Sequence, residues 1–145
     1  DTGYITDVVF DRNDKTKTEP RVVGKIMQHK CRMGRFEANN GGDFYATDID
    51  KMLKSENYRC NISSKKAPTT QSKVARIEQY APDIRNLLFL HPSMQSDEYK
   101  RFMNEVTAFS FTSENVHDDA PDSLAGLAAY MLERPRAVTV ARRPF

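Results

Sequence analysis

The sequence predicts a single α/β domain, and three observations carry that prediction. Short runs rich in β-branched and aromatic residues alternate with longer stretches whose apolar residues recur at helical spacing. One of the strand-like runs ends in a carboxylate, Glu37, just before a polar turn and a helix, which is where α/β sheets present their sites. At 145 residues, with 39% hydrophobic, the chain is large enough to bury a core of its own.

Each element has a local reason. Tyr4-Ile5-Thr6-Asp7-Val8-Val9-Phe10 reads as a strand, and the polar run from Asp11 to Thr18 as a loop or its continuation. Glu19-Pro20 opens a helix through about Cys31, with Pro20 suited to the first turn and Val22, Val23, Ile26 and Met27 as the buried stripe. Gly34-Arg35-Phe36-Glu37 is a short strand, and Asn39-Asn40-Gly41-Gly42 supplies a turn that tolerates positive φ. Asp43 to Lys54 forms an amphipathic helix with Phe44, Ile49, Met52 and Leu53 inward. Tyr58 to Ser63 is a further strand.

Thr69-Thr70-Gln71-Ser72 offers caps for a helix carrying Val74, Ile77, Tyr80 and Ala81 and ending near Pro82. Leu87-Leu88-Phe89-Leu90 is a short apolar strand bounded by His91-Pro92. Ser96-Asp97-Glu98 starts a helix that packs Tyr99, Phe102, Met103, Val106 and Phe109. The last helix buries Leu124, Leu127, Ala128 and Met131 and ends before Pro135. Residues 1–133 are thus read as the domain and 134–145 as a basic tail, with Val138-Thr139-Val140 a small edge strand. There is no internal repeat and no low-complexity segment.

Charge and cysteine usage narrow the function. With 22 basic against 20 acidic residues, the near balance does not announce nucleic acid by itself. Distribution says more. Acids gather in residues 117–122, while bases cluster at Lys65-Lys66, at Lys73 and Arg76, and at Arg134, Arg136, Arg142 and Arg143. Cys31 and Cys60 stand far apart without zinc-type spacing, which reads as reduced thiols in a cytosolic setting. His29 and Cys31 form a pair, but no second pair accompanies it, and that argues against zinc. No apolar run approaches the roughly 18 residues of a membrane span, and nothing at the start reads as a signal peptide.

The most informative motif is His117-Asp118-Asp119-Ala120-Pro121-Asp122-Ser123-Leu124-Ala125, which sets three carboxylates at the mouth of an apolar helix. Such acids either cap free N–H groups and complement the helix dipole, or coordinate a hard divalent cation. Asp119 could cap while Asp122, three residues on, reaches back as a capping-box acid. Asp118 is left over and would repel its neighbours without a cation. Spacing alone does not choose between the two. Glu37 is the partner that would favour metal, although a solvated edge glutamate is the plainer account of it.

Four motifs together resemble the C-terminal nuclease domain of phage terminase large subunits: Tyr4-Ile5-Thr6-Asp7-Val8, Phe36-Glu37-Ala38-Asn39-Asn40-Gly41-Gly42, Lys73-Val74-Ala75-Arg76-Ile77, and the stretch from His117 to Ala125. They follow in the family's order along nearly the whole chain, the last being the most specific. The resemblance implies an RNase H-like mixed sheet flanked by helices, and a two-metal Mg²⁺ or Mn²⁺ endonuclease that cuts concatemeric double-stranded viral DNA during genome packaging. It implies Glu37 as the family's middle carboxylate and the Asp118/Asp119 pair as its last, with Asp122 a further candidate. Partners implied are double-stranded DNA, the portal and procapsid, the small terminase subunit and the ATPase domain of the same protein, in the cytoplasm of a bacterial host.

One departure matters. The family's first metal-binding Asp lies two strands before the first helix, and only one strand precedes that helix here. The chain therefore reads as N-terminally truncated, lacking one metal ligand and able to show little activity, unless Asp7 takes that role. Two metals about 3.5–4 Å apart would activate a water and stabilise the leaving oxygen, and carboxylates suit such hard ions. The expectation is that Glu37 and Asp119 converge at one sheet end, within about 8 Å.

Lys73 and Arg76, at i and i+3, read as phosphate contacts or as a salt-bridged face, and Lys65-Lys66 as a weaker form of the same signal. His117 is either a support for a carboxylate or water at the metal, or a surface histidine ahead of a helix. Two other classes fit the same residues. One is a resolvase- or transposase-type nuclease, and the other is a non-catalytic module that binds DNA or docks on a portal.

Overall fold

The structure, a computed structural model, describes residues 2–115 and 117–133. Its elements run β1 (Tyr4–Ile5), α1 (Lys15–Gln28), β2 (Met33–Glu37), α2 (Gly42–Ser55), β3 (Asn61–Lys65), α3 (Lys73–Arg85), β4 (Leu88–Phe89), α4 (Asp97–Ala108) and α5 (Asp119–Glu133). Strand and helix alternate as expected, and the fold is α/β. The expected basic tail, with Arg134, Arg136, Arg142, Arg143 and the Val138–Val140 strand, lies outside the described residues.

The strands do not join into one mixed sheet among the described residues. β1 pairs with β4, placing Tyr4 opposite Leu88, and β2 pairs with β3, running from Met33 opposite Asn61 to Glu37 opposite Lys65. Both pairs are parallel, so each needs a crossover, and α2 supplies the one between β2 and β3. The opening strand is two residues long rather than seven. Asp7 ends it by accepting the Val8 N–H at 2.9 Å and turning to α1, where Lys25 Nζ lies at 2.7 Å and His29 Nε2 at 2.8 Å. Partial burial pushes the Asp7 carboxyl up, but the bonds from Lys25, His29 and Val8 outweigh it and leave the group below the usual carboxylate range.

Local chemistry moves two other boundaries and one buried face. Asp14 caps α1 by accepting the Thr16 N–H at 3.0 Å, so Lys15 rather than Glu19 begins the helix and Pro20 falls inside it. In α2, Ile49 and Leu53 are 0% and 1% exposed, whereas Phe44 is 70% exposed. Phe44 stands five residues before Ile49, which at about 100° per residue carries it off the stripe that Tyr45, Ala46, Ile49 and Leu53 share. Ser72 caps α3 through the Ala75 N–H at 3.1 Å, and the helix continues past Pro82 to Arg85.

Two hydrophobic clusters form the interior. One gathers Ile5, Leu87, Tyr99, Phe102, Ala120 and Leu124 from β1, α4, α5 and the residue before β4, and the other gathers Val23, Ile49 and Leu53 under β2–β3. Arg21 ties α1 to the first cluster through Asp11 and, at 2.6 Å, Glu98 Oε2, and Glu98 Oε1 also accepts the Phe10 N–H at 2.7 Å. Tyr99 holds that cluster's strands together. Its hydroxyl donates to the Ile5 carbonyl at 2.6 Å and accepts from the Leu90 N–H at 3.1 Å, on a side chain 1% exposed. Tyr99→Phe should cost about 2 kcal/mol by urea denaturation, because it leaves a buried carbonyl and a half-buried N–H unpaired without changing the ring's packing.

Candidate functional site

β2 sets the first acid by its two-residue alternation. Phe36 faces inward and tilts against Tyr45 of α2 with ring centroids 5.8 Å apart, so Glu37 next to it turns to the other face together with Arg35 and Met33. The strand lies close to β3: a Cβ on Gly34 would come within 2.9 Å of Ile62 Cδ1. After Glu37, the 3₁₀ turn Asn39–Gly41 enters α2 with Gly41 at φ 87°, the left-handed backbone that the glycine-rich turn was expected to supply.

The outward face of β2–β3 borders a cavity of about 570 Å³ closed on its other side by α3 and α5. Glu37, Arg76, Asp119 and Asp122 all line it, and Leu127 and Tyr130 give it an apolar flank. The acids at the strand end and at the helix start therefore open onto one space, although they are far apart in sequence.

The acids of the motif turn to bases rather than to the helix mouth. Ala120, at the start of α5, gives its N–H to Glu105 Oε1 of α4 at 2.9 Å, so a neighbouring helix supplies that cap. Asp118 enters the capping through its backbone, accepting the Asp122 N–H at 3.0 Å. Its side chain takes Lys73 Nζ at 3.3 Å, and Asp119 takes the same ammonium at 2.8 Å. Arg76 meets Asp122 with both prongs, Nε to Oδ1 at 2.7 Å and Nη2 to Oδ2 at 2.6 Å, and that Nη2 lies 3.7 Å from Glu37 Oε2. Glu37 and Asp122 thus face each other across one guanidinium nitrogen.

Burial grades these pairs. The Arg76 and Asp122 side chains are each 11% exposed, whereas Asp119 is 78% exposed and Lys73 about half. Bonding to Asp119 is the main cause that holds the Lys73 ammonium above its usual range, against the smaller opposing effect of burial. Arg76–Asp122 is the structural clasp between α3 and α5, and Lys73 covers the outer acids at the surface.

Other expected site residues fall around the rim. Lys65 is the last residue of β3 rather than part of a loop, and it shares Glu133 with Arg35, whose guanidinium also stacks 4.4 Å above the Tyr130 ring. Lys66 is exposed at the cavity's edge. His117 points elsewhere, its Nε2 lying 3.5 Å from Arg12. Glu105, Glu133 and the Arg35–Tyr130 stack were not anticipated, because each depends on a partner brought near only by helix packing.

Among the described residues, no three His, Cys, Asp or Glu side chains gather closely enough to hold a metal ion. The space between Glu37 and Asp122 contains Arg76 Nη2, and Lys73 occupies the oxygens of Asp118 and Asp119 that face it. As placed, this donor set does not fit a divalent cation. Cys31 and Cys60 are free thiols, and His29, the other half of the sequence's only His-Cys pair, is engaged by Asp7. No described helix is long and apolar enough to cross a membrane. No protein-family model matches the chain, nor does any curated protein or solved structure.

Proposed function

We propose that the chain is part of an RNase H-like endonuclease domain of the terminase large-subunit type, which cuts double-stranded DNA with Mg²⁺ or Mn²⁺ during genome packaging. The observation that supports it is the meeting of Glu37 and Asp122 across one nitrogen at the end of a parallel strand, with Asp119 lining the same cavity. Like charges approach this closely only where a cation offsets them, and here Arg76 and Lys73 do so. In this reading Glu37 and Asp119 are ligands of the complete domain, Asp118 and Asp122 are the neighbouring acids, and a further carboxylate comes from residues outside this chain. The small subunit, portal, procapsid and ATPase domain as partners, and a bacterial host's cytoplasm as location, rest on the motif resemblance alone.

The poor fit of the present donor set to a metal leads to a definite expectation. This chain should bind Mn²⁺ weakly in a titration followed by electron paramagnetic resonance, and should leave supercoiled plasmid uncut in Mg²⁺ or Mn²⁺. A version extended at its N-terminus should cut. If the extended version binds no metal and cuts nothing, the nuclease reading is lost. Robust cutting by the present chain would instead show that its own residues supply every ligand the reaction needs. A non-catalytic docking module is the second reading, favoured by the same self-neutralised acids.

DNA affinity should be independent of sequence and fall steeply with salt, because phosphate neutralisation drives it. Lys66→Ala combined with Lys73→Ala should weaken binding and flatten the salt dependence by about two counterions. Fluorescence anisotropy at several salt concentrations measures both, and unchanged slopes would return these lysines to an ordinary solvated surface.

A further inference from the structure

Away from the acidic site, α1 and α2 bury a carboxyl that the proposed function does not use. Glu19 is 8% exposed, and its Oε1 is a buried oxygen with no hydrogen-bond partner among the described residues. A carboxylate in that position would leave a charged oxygen without water or donor, which is far costlier than a neutral acid. The groups facing it are Asp48 and Tyr45 from α2 and Lys15 from its own helix. Lys15 offsets it only in part, because its ammonium lies on Asp48 Oδ2 at 3.1 Å. Asp48 faces Glu19 from α2, since Lys15, one turn before Glu19 on α1, holds its carboxylate at 3.1 Å, and the nearby acid helps raise the Glu19 carboxyl. Two carboxyl groups can hydrogen-bond only if one keeps its proton, and the buried one without a cation is the one to keep it.

We propose that Glu19 is a proton-holding latch between α1 and α2, a neutral carboxylic acid that donates to ionised Asp48 and loosens this helix pair when it loses its proton. Position gives the latch its consequence. Thr18, beside Glu19, accepts the Tyr45 hydroxyl at 2.9 Å, and Tyr45 packs on Phe36, the residue before Glu37. Loosening α1 from α2 therefore loosens the packing behind β2, where Glu37 is set. Burial is the main cause that raises the Glu19 carboxyl above its ordinary range, with Asp48 adding to it and Lys15 opposing. A raised folded value means the native state binds the extra proton. The stability is full below the unfolded value of about 4.5 and is lost as pH rises through the folded one.

The test is thermal unfolding of the full chain against pH, for the wild type and Glu19→Gln. The amide is neutral at every pH and keeps the shape and a donor for Asp48. Glu19→Gln should match the wild type near pH 4 and melt about 3 °C or more higher at pH 8. Infrared difference spectra should show a carboxylic-acid C=O band in the wild type that persists above the ordinary glutamate range and is absent from Glu19→Gln. Asp48→Asn, which removes the acceptor charge, should bring the Glu19 proton off at lower pH because the carboxylic acid loses its charged acceptor and the ion gains an amide donor. A lower melting temperature for Glu19→Gln at pH 8, a gap that does not change with pH, or no difference in the infrared band would overturn the proposal.

Discussion

Arg76→Ala should destabilise the protein by about 3 kcal/mol, the cost of leaving a buried carboxylate without its partner. Asp122 is 11% exposed and holds the guanidinium with both oxygens, so its removal strands a charge in the seam between α3 and α5. Arg76→Lys should recover only part of the loss, because an ammonium cannot make the two-pronged contact. A double replacement, Arg76→Met with Asp122→Leu, should return most of the stability, since neither charge is then left alone. Urea denaturation of the four proteins measures all of this. A loss below about 1 kcal/mol for Arg76→Ala would show that the pair behaves like an exposed surface bridge. The same variant separates two roles of Arg76: if it were mainly a DNA contact, affinity would fall and stability would hold.

The largest expected effect on activity belongs to the acids of the proposed site. In the N-terminally extended protein, Glu37→Gln or Asp119→Asn should lower plasmid cutting by about 100-fold or more, above the usual cost of disturbing a metal's surroundings. Both amides keep size and hydrogen bonding while losing the charge. Asp119 is 78% exposed and α5 is capped by Glu105, so Asp119→Asn should leave the melting temperature unchanged. Lost cutting with retained stability would mark Asp119 as a functional acid. Full cutting in Asp119→Asn would move the role to Asp118 or Asp122, and lost stability would return the motif to a structural account. Glu105→Ala is the contrasting change, expected to weaken the start of α5 by about 1 kcal/mol.

Most of the helices were legible because their causes are local. Asp14, Ser72 and Ser96 each sit one residue before a helix and accept a nearby N–H, and Ile49 with Leu53 or Tyr99 with Phe102 mark buried faces by spacing alone. The caps of α3 and α4 stand beside clear apolar periodicity, whereas Asp14 lies in a polar run whose helical face begins only at Val22 and Val23. Strand lengths were harder. Val8, Val9 and Phe10 favour extended backbone, yet Asp7 ended the strand by bonding two side chains of α1, which a propensity argument cannot see.

The sequence by itself determined the α/β class, the order of the elements, the positive-φ turn after β2 and the placing of Glu37 at a strand end. These follow from side-chain periodicity, caps and glycine, all of which act within a few residues. Only the tertiary structure decided that the strands form two parallel pairs, that Lys73 and Arg76 neutralise the acids, and that Glu105 of α4 rather than the Asp119 side chain supplies a cap at the start of α5. The reason is common to all three. Ion pairs and strand pairings join residues tens of positions apart, and their energies depend on distance and burial that arise only once α3, α4 and α5 have packed.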